Sequence, residues 1–170
     1  MLKLISTKTH QLKKEQINSI LLLKDEHWRF GIKSQYVNFK KNIFKFDINN
    51  CLYLDNQLIG YTVLKIRSFS RDYKKKYFLF DTLIIKKKYQ KKGYSEILMN
   101  FNNFIISNDN KNSFLICEKK LIKFYKNFNW KNISKSKINF LDYKTNKSTM
   151  CYNFNTKNLN NKKINIYLKK

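Results

Sequence analysis

The chain has 170 residues and a mass of 20.7 kDa, enough for one domain that buries roughly two-thirds of its unfolded surface. Its 36 Lys+Arg against 11 Asp+Glu give a formal net charge of +25, while 42% hydrophobic and 16% aromatic content excludes a disordered tail. No apolar run approaches the roughly 18 residues that span a bilayer, and the start, MLKLISTKTHQLKKEQ, lacks the continuous apolar core of a signal peptide.

The charge invites a nucleic-acid reading. The finer composition weakens it, because only three basic residues are Arg (Arg29, Arg67, Arg71) and the rest are Lys. Asn (23) and Ile (19) are abundant, Ala and Pro are absent, and only three Gly occur. The abundant residues have A/T-rich codons, so much of the charge is read as genomic bias. Cys51, Cys117 and Cys151 stand far apart with no CxxC pair, which argues against a disulfide framework or a structural zinc site. They are expected to be small buried hydrophobes in a reducing cytoplasm. His10 and His27 read as surface or packing residues, and no metal is expected.

In chain order, residues 1–156 are expected to form one domain, since no repeat or Pro/Gly/Ser-rich linker interrupts them. Ile17, Ile20, Leu21 and Trp28 recur at helical spacing, with Trp28 read as core, and Tyr36, Phe39 and Ile43 repeat the pattern after Gly31. Cys51–Leu54, the turn Asp55–Gln57 and Leu58–Ile66 predict a β-hairpin. After a polar loop, Arg67–Lys76, the apolar run Tyr77–Ile85 predicts a strand buried on both faces. A helix follows Gly93, with Ile97, Leu98, Phe101, Phe104 and Ile105 as its apolar positions. Then come a short strand, Ser113–Cys117, and a helix carrying Leu121, Phe124, Tyr125 and Phe128. Two closing strands, near Ile138–Asp142 and Ser148–Phe154, bracket the turn Tyr143–Lys147. Residues 157–170 read as a basic tail or an extra edge strand. The order α-α-β-β-β-α-β-α-β-β predicts a mixed sheet with helices packed on it.

The most specific chemistry lies in Leu83-Ile-Ile-Lys-Lys-Lys-Tyr-Gln-Lys-Lys-Gly-Tyr-Ser-Glu-Ile-Leu-Met99, where a buried strand enters a basic turn and then a helix. Gly93 permits a positive φ at the turn. The free N–H groups and dipole of the helix start, with Lys91 and Lys92 beside them, predict an anion site suited to a pyrophosphate. Neither a Walker A loop nor a dinucleotide fingerprint is present. Asp81 stands alone in the apolar strand, two residues before Leu83 and so on its face, and needs partners or a shifted pKa.

Gln90-Lys91-Lys92-Gly93-Tyr94-Ser95 resembles the acyl-coenzyme A loop of the GNAT superfamily of N-acetyltransferases, Q/R-x-x-G-x-G/A, with Ser95 in place of the last small residue. Phe124-Tyr125-Lys-Asn-Phe-Asn-Trp130 resembles the family's F/L-Y-x-x-x-G-F/W segment, with Asn129 for Gly. Glu118-Lys-Lys120 offers no counterpart of the Asn that many relatives place near the pantetheine. The resemblance covers roughly residues 50–155 and implies an α/β (α+β) fold, a mixed and largely antiparallel sheet of six or seven strands flanked by helices. It implies acetyl-CoA as co-substrate, bound by Gln90–Ser95 and by the backbone of Leu83, Ile84 and Ile85. It makes Tyr125 the acid that protonates the departing thiolate. Asp81 is then the base or the anion that receives the amine, with Glu118 in reserve.

The function expected is transfer of an acetyl group to a primary amine of a small acceptor, a metabolite or amino sugar, by direct attack. Neither a membrane nor a specific nucleic acid is an expected partner, and pairing as a homodimer is left open. The alternative is a basic nucleic-acid- or ribosome-binding module on a catalytically inactive scaffold of this family, supported by +25 with interleaved Tyr and Phe.

Overall fold

A computed structural model describes residues 1–70, 74–155 and 163–169. Its elements are β1 (Leu2–Lys8), α1 (Lys14–Trp28), α2 (Ile32–Asn42), β2 (Ile48–Leu54), β3 (Gln57–Ser68) and β4 (Lys76–Ile85), then α3 (Tyr94–Asn108) and β5 (Ser113–Cys117). α4 (Ile122–Lys126), β6 (Lys131–Ile133), β7 (Ile138–Phe140), β8 (Ser148–Tyr152) and β9 (Ile164–Ile166) follow. Seven strands hydrogen-bond in the order β1-β2-β3-β4-β5-β8-β6, and β7 pairs with β9. Pairing is antiparallel at β1/β2, β2/β3, β5/β8 and β6/β8, and parallel at β4/β5. This is the mixed sheet with helices that the element order predicts, and the largely antiparallel one that the resemblance implies.

Packing divides the chain into two units. The first comprises Met1–Lys65 and Asp81–Asn102. Its strands carry apolar side chains on both faces. One face gathers Ile20, Leu21, Phe39, Tyr61, Val63 and Ile84 into a core with α1 and α2. The opposite face packs Leu52, Ile59 and Ile85 against Leu98 of α3. Gly60 makes that second layer fit, because a Cβ there would lie 2.8 Å from both Ile85 Cδ1 and Leu98 Cδ1. The β2–β3 turn holds Asp55 and Asn56 at φ 47° and 62°, the two left-handed residues that match a tight hairpin to strand twist.

The second unit comprises Ile66–Phe80 and Asn103–Lys170. Tyr77, Leu79, Phe114, Ile133, Cys151 and Ile166 form its core. The buried Arg67 guanidinium donates to the Leu168 carbonyl at 2.9 Å, and Tyr77 donates its hydroxyl to the Tyr167 carbonyl. Asp142 accepts the N–H groups of Leu168 and Lys169, each at 2.8 Å. These bonds fasten the 163–169 segment.

Several local expectations change. β1 is a strand where the sequence reading had none: it pairs along β2 from Leu2↔Leu54 to Lys8↔Ile48. Its lysines mark a solvated edge rather than a loop. The closing strands do not make a hairpin. β7 pairs in parallel with β9, while β8 lies between β5 and β6, because alternation identifies a strand without naming its partner. Of the expected tail, residues 157–162 and 170 lie outside the described residues, as does Arg71. Trp28 is 38% exposed rather than core. It closes α1 at the left-handed Arg29 cap, where its ring meets His27 edge-on. On α3 the expected stripe is displaced: Phe104 is exposed, whereas Leu98, Met99, Asn102 and Ile106 are buried. Asn102 tolerates burial because it binds Asn50, Thr62 and the Leu98 carbonyl.

Candidate functional site

In the first unit, β4 delivers the chain into the basic turn. Ile84 and Ile85 are buried on opposite faces, and Leu83 packs on the face of Ile85. Their side chains serve the core, which leaves backbone groups as what they can offer a ligand. Thr82 sits at φ 59°, a conformation that β-branched residues rarely adopt, so it breaks the strict alternation that would place Asp81 on the face of Leu83.

The turn is braced at each step. Lys86 N–H donates to the Ile59 carbonyl at 2.7 Å, and Lys87 N–H to Glu26 Oε1 of α1 at 2.9 Å. Gln90 is not extended toward solvent: its Nε2 donates to the Ile85 carbonyl at 3.0 Å. Lys91 and Gly93 both take positive φ, 60° and 81°, on either side of Lys92. The Gly93 carbonyl accepts from Glu96 and Ile97 as the helix opens. The N–H groups of Tyr94 and Ser95 then have no acceptor among the described residues. Open space surrounds Gly93, where an added Cβ would meet nothing within 4 Å. Backbone donors, a helix dipole and Lys91 and Lys92 therefore converge on a turn with room beside it, which fits a pyrophosphate.

Asp81 lies in a charged cluster within the same unit. Its Oδ2 contacts Lys65 Nζ, and the carboxylate keeps 43% of its side-chain surface open although protein surrounds it closely. Desolvation opposes ionisation, yet Lys65, Lys24 and the Thr82 N–H outweigh it and hold the carboxyl below the ordinary Asp value. Lys24, on the inner face of α1, is only 5% exposed. Burial pushes its ammonium pKa down, against the opposing pull of Asp81.

The second unit holds Tyr125, a buried residue of α4 whose ring meets Phe80, Phe124 and Trp130. Asn129 adopts φ 64°, a left-handed conformation that Asn tolerates better than most residues. Trp130 donates its indole N–H to Asn103 Oδ1, and Asn103 donates to the Phe128 carbonyl, both at 2.9 Å. The β4/β5 pairing comprises Phe78↔Ser113 and Leu79↔Phe114. Glu118, the reserve base, is exposed and paired with Lys147 at 2.8 Å, a bond that lowers its pKa. Lys24, Glu26, Lys65, Gly60 and Asn103 escaped the sequence reading. Of these, Lys24 alone left a visible signal, a cation at the helical position between Leu21 and Trp28 where the apolar stripe needs a hydrophobe.

By sequence, the chain matches no protein-family model and no curated protein. Its fold matches many solved structures. A GNAT family N-acetyltransferase from Escherichia coli in complex with CoA superposes with TM-score 0.70 at 11% identity, covering 98% of this chain and 90% of that one. An acyl-CoA N-acyltransferase from Pseudomonas aeruginosa gives TM-score 0.68 at 14% identity, covering 89% and 99%. The ribosomal-protein-S18-alanine N-acetyltransferase from Escherichia coli gives 0.62 at 10% identity, covering 89% and 91%. The chain has the fold of the GNAT superfamily of N-acetyltransferases.

Proposed function

We propose that the chain transfers an acetyl group from acetyl-CoA to a primary amine of a small acceptor. The observation that carries this reading is the Gln90–Ser95 turn, with Lys91 and Gly93 left-handed and the Tyr94 and Ser95 N–H groups free, in a fold whose solved examples include one bound to CoA. In this reading those N–H groups, with Lys91 and Lys92, hold the pyrophosphate. Gln90 fixes the turn to the strand end, and the backbone at Leu83–Ile85 faces the thioester arm. Bound acetyl-CoA supplies the activated acyl group.

The acceptor nitrogen forms a bond to the acyl carbon, the carbon–sulfur bond breaks, and sulfur leaves with its electron pair. Tyr125 donates the proton that sulfur takes up, a role suited to a phenol that is protonated at neutral pH. The substrate ammonium gives one proton to water before attack and a second as the amide forms, and water returns a proton to Tyr125. Asp81, held as a carboxylate below the ordinary Asp range, is a weak base and serves better as the anion that receives the substrate ammonium. Thermal unfolding with acetyl-CoA, ADP or buffer tests the reading. Selective stabilisation by acetyl-CoA supports it, and no shift well above micromolar ligand ends it.

A further inference from the structure

Helix α2 turns most of its apolar side chains outward. Of its 11 residues only Gln35 and Phe39 are buried. By helical spacing Val37 lies opposite that pair, with Lys33 and Lys41 on either side of it, and Ile32 and Tyr36 form the adjoining stripe. All three apolar residues are exposed, Val37 by 63%. The end of α1 and the turn after it carry two more, Trp28 and Phe30, the latter 68% exposed. Asp25 fixes that turn, accepting the Arg29 N–H on its carbonyl at 2.8 Å and the Gly31 N–H on Oδ1 at 2.7 Å. Among the described residues, 14 large apolar side chains are exposed, and 7 of them fall within residues 28–46. Single exposed apolar residues are ordinary, but such a concentration marks a contact surface.

The charge around these side chains selects the partner. Residues 27–46 carry Arg29, Lys33, Lys40, Lys41 and Lys45, all exposed, and no carboxylate. The acids that bound the segment are turned to the fold: Asp25, Glu26 and Asp47 accept the backbone N–H groups of Gly31, Lys87 and Phe44. Lys40 Nζ lies 5.6 Å from the Tyr36 ring centre and Lys45 Nζ 5.2 Å from that of Phe46, so the cations stand among the apolar groups. We propose that α2 and the turn before it dock on an anionic lipid surface. Phe30, Ile32 and Val37 enter the boundary of the acyl chains, while the flanking cations meet the headgroup phosphates and carboxylates. Aliphatic side chains such as Ile32 and Val37 gain from hydrocarbon, which a nucleic-acid backbone does not offer. A second copy of the chain, paired through the same face, would set these cations against their like. Contact in the interface plane needs no spanning helix. The lack of one among the described residues, behind the sequence expectation of no membrane partner, therefore does not oppose it. The proposal stands apart from the acyl-transfer reading.

The test uses the full chain with vesicles of phosphatidylcholine, alone or with about 30% phosphatidylserine, at about 150 mM salt. Of the 2 tryptophans Trp28 is exposed and Trp130 buried, so fluorescence reports contact at the proposed face. Anionic vesicles are expected to shift the emission to the blue, and Trp28→Phe to abolish the shift. Phe30→Ser combined with Val37→Ser keeps the net charge and should weaken partitioning onto those vesicles by about tenfold or more. Both side chains are exposed, so the double variant should melt with the wild type. If it melts lower, Phe30→Ser alone, in the turn, carries the comparison. Absence of binding, binding without a blue shift, or equal partitioning of the variant overturns the proposal and leaves only the bulk attraction of a +25 chain. An equal blue shift with poly-glutamate assigns the face to an acidic protein instead. Dimers that the double variant dissolves assign it to a second copy, and either result overturns the lipid assignment.

Discussion

Gln90 donates its side-chain amide to the carbonyl of Ile85 at 3.0 Å, so the first residue of the turn ties back to the last residue of the strand before it. The bond is local and partly buried, and its net contribution to stability is about 1 kcal/mol. Its larger consequence is to fix the donors that follow. Gln90→Ala is expected to weaken acetyl-CoA binding by about tenfold while changing the unfolding free energy by only about 1 kcal/mol. Titration calorimetry beside urea melts would separate the two effects.

Positions 91 and 93 share a left-handed backbone but differ in what occupies them. Gly93→Ala should destabilise by about 1 kcal/mol through backbone strain alone, since space around the site is open. Lys91→Gly should be neutral or stabilising by up to about 1 kcal/mol, because it removes the same strain. Denaturant midpoints at constant slope would check both signs.

Asn103 bridges the Trp130 indole and the Phe128 carbonyl. Asn103→Leu leaves a buried indole N–H unpaired and should cost about 2–3 kcal/mol. Asn103→Asp keeps the acceptor for Trp130 but loses the donor to Phe128. It is expected to lie between the two, read as Tm by calorimetry.

The ammonium of Lys24 has its pKa lowered in the folded chain, chiefly by burial. Between that lowered value and the ordinary Lys value of 10.5, the unfolded chain binds more protons than the folded one. Stability therefore rises with pH across that window, and the full penalty is present below it. Lys24→Met should raise Tm most at neutral pH, and its advantage should shrink as pH climbs toward 10.5. Calorimetric scans of both proteins from pH 7 to about 10.5 would show the two curves converging.

The net charge of +25 should give nucleic-acid binding that is nonspecific and steeply salt-dependent. Anisotropy titrations with RNA and DNA oligomers of differing sequence are expected to lose affinity together as salt rises from 50 to 200 mM. A sequence preference that survives 150 mM salt would instead favour the binding-module reading.

Much of this fold was legible in the sequence because periodicity and composition are local. The Tyr77–Ile85 run is buried through its first half and at its end. Asn129 is left-handed at the place where the resembled motif carries Gly. Partner choice was not legible. Residues 138–140 pair with 164–166, a relationship between distant segments that no window of sequence contains. α3 misled for a related reason: its buried face includes Asn102 and Asn103, whose partners Asn50, Thr62 and Trp130 lie far along the chain. In the candidate site the Gly93 turn was readable from one hexapeptide. The Asp81 cluster was only half readable, since its cations come from α1 and β3.

Cys51, Cys117 and Cys151 are free and buried, and burial pushes the Cys51 thiol up to about 12 and raises the other two. Thiolates react and thiols do not, so the folded chain is close to silent toward thiol reagents. CoA released in a transfer assay can therefore be counted by its own sulfur against a flat background. Cys51 belongs to one unit and the other two cysteines to the second. With reagent in excess and sites resolved by mass, the same silence becomes a clock: each cysteine labels only when its own unit opens.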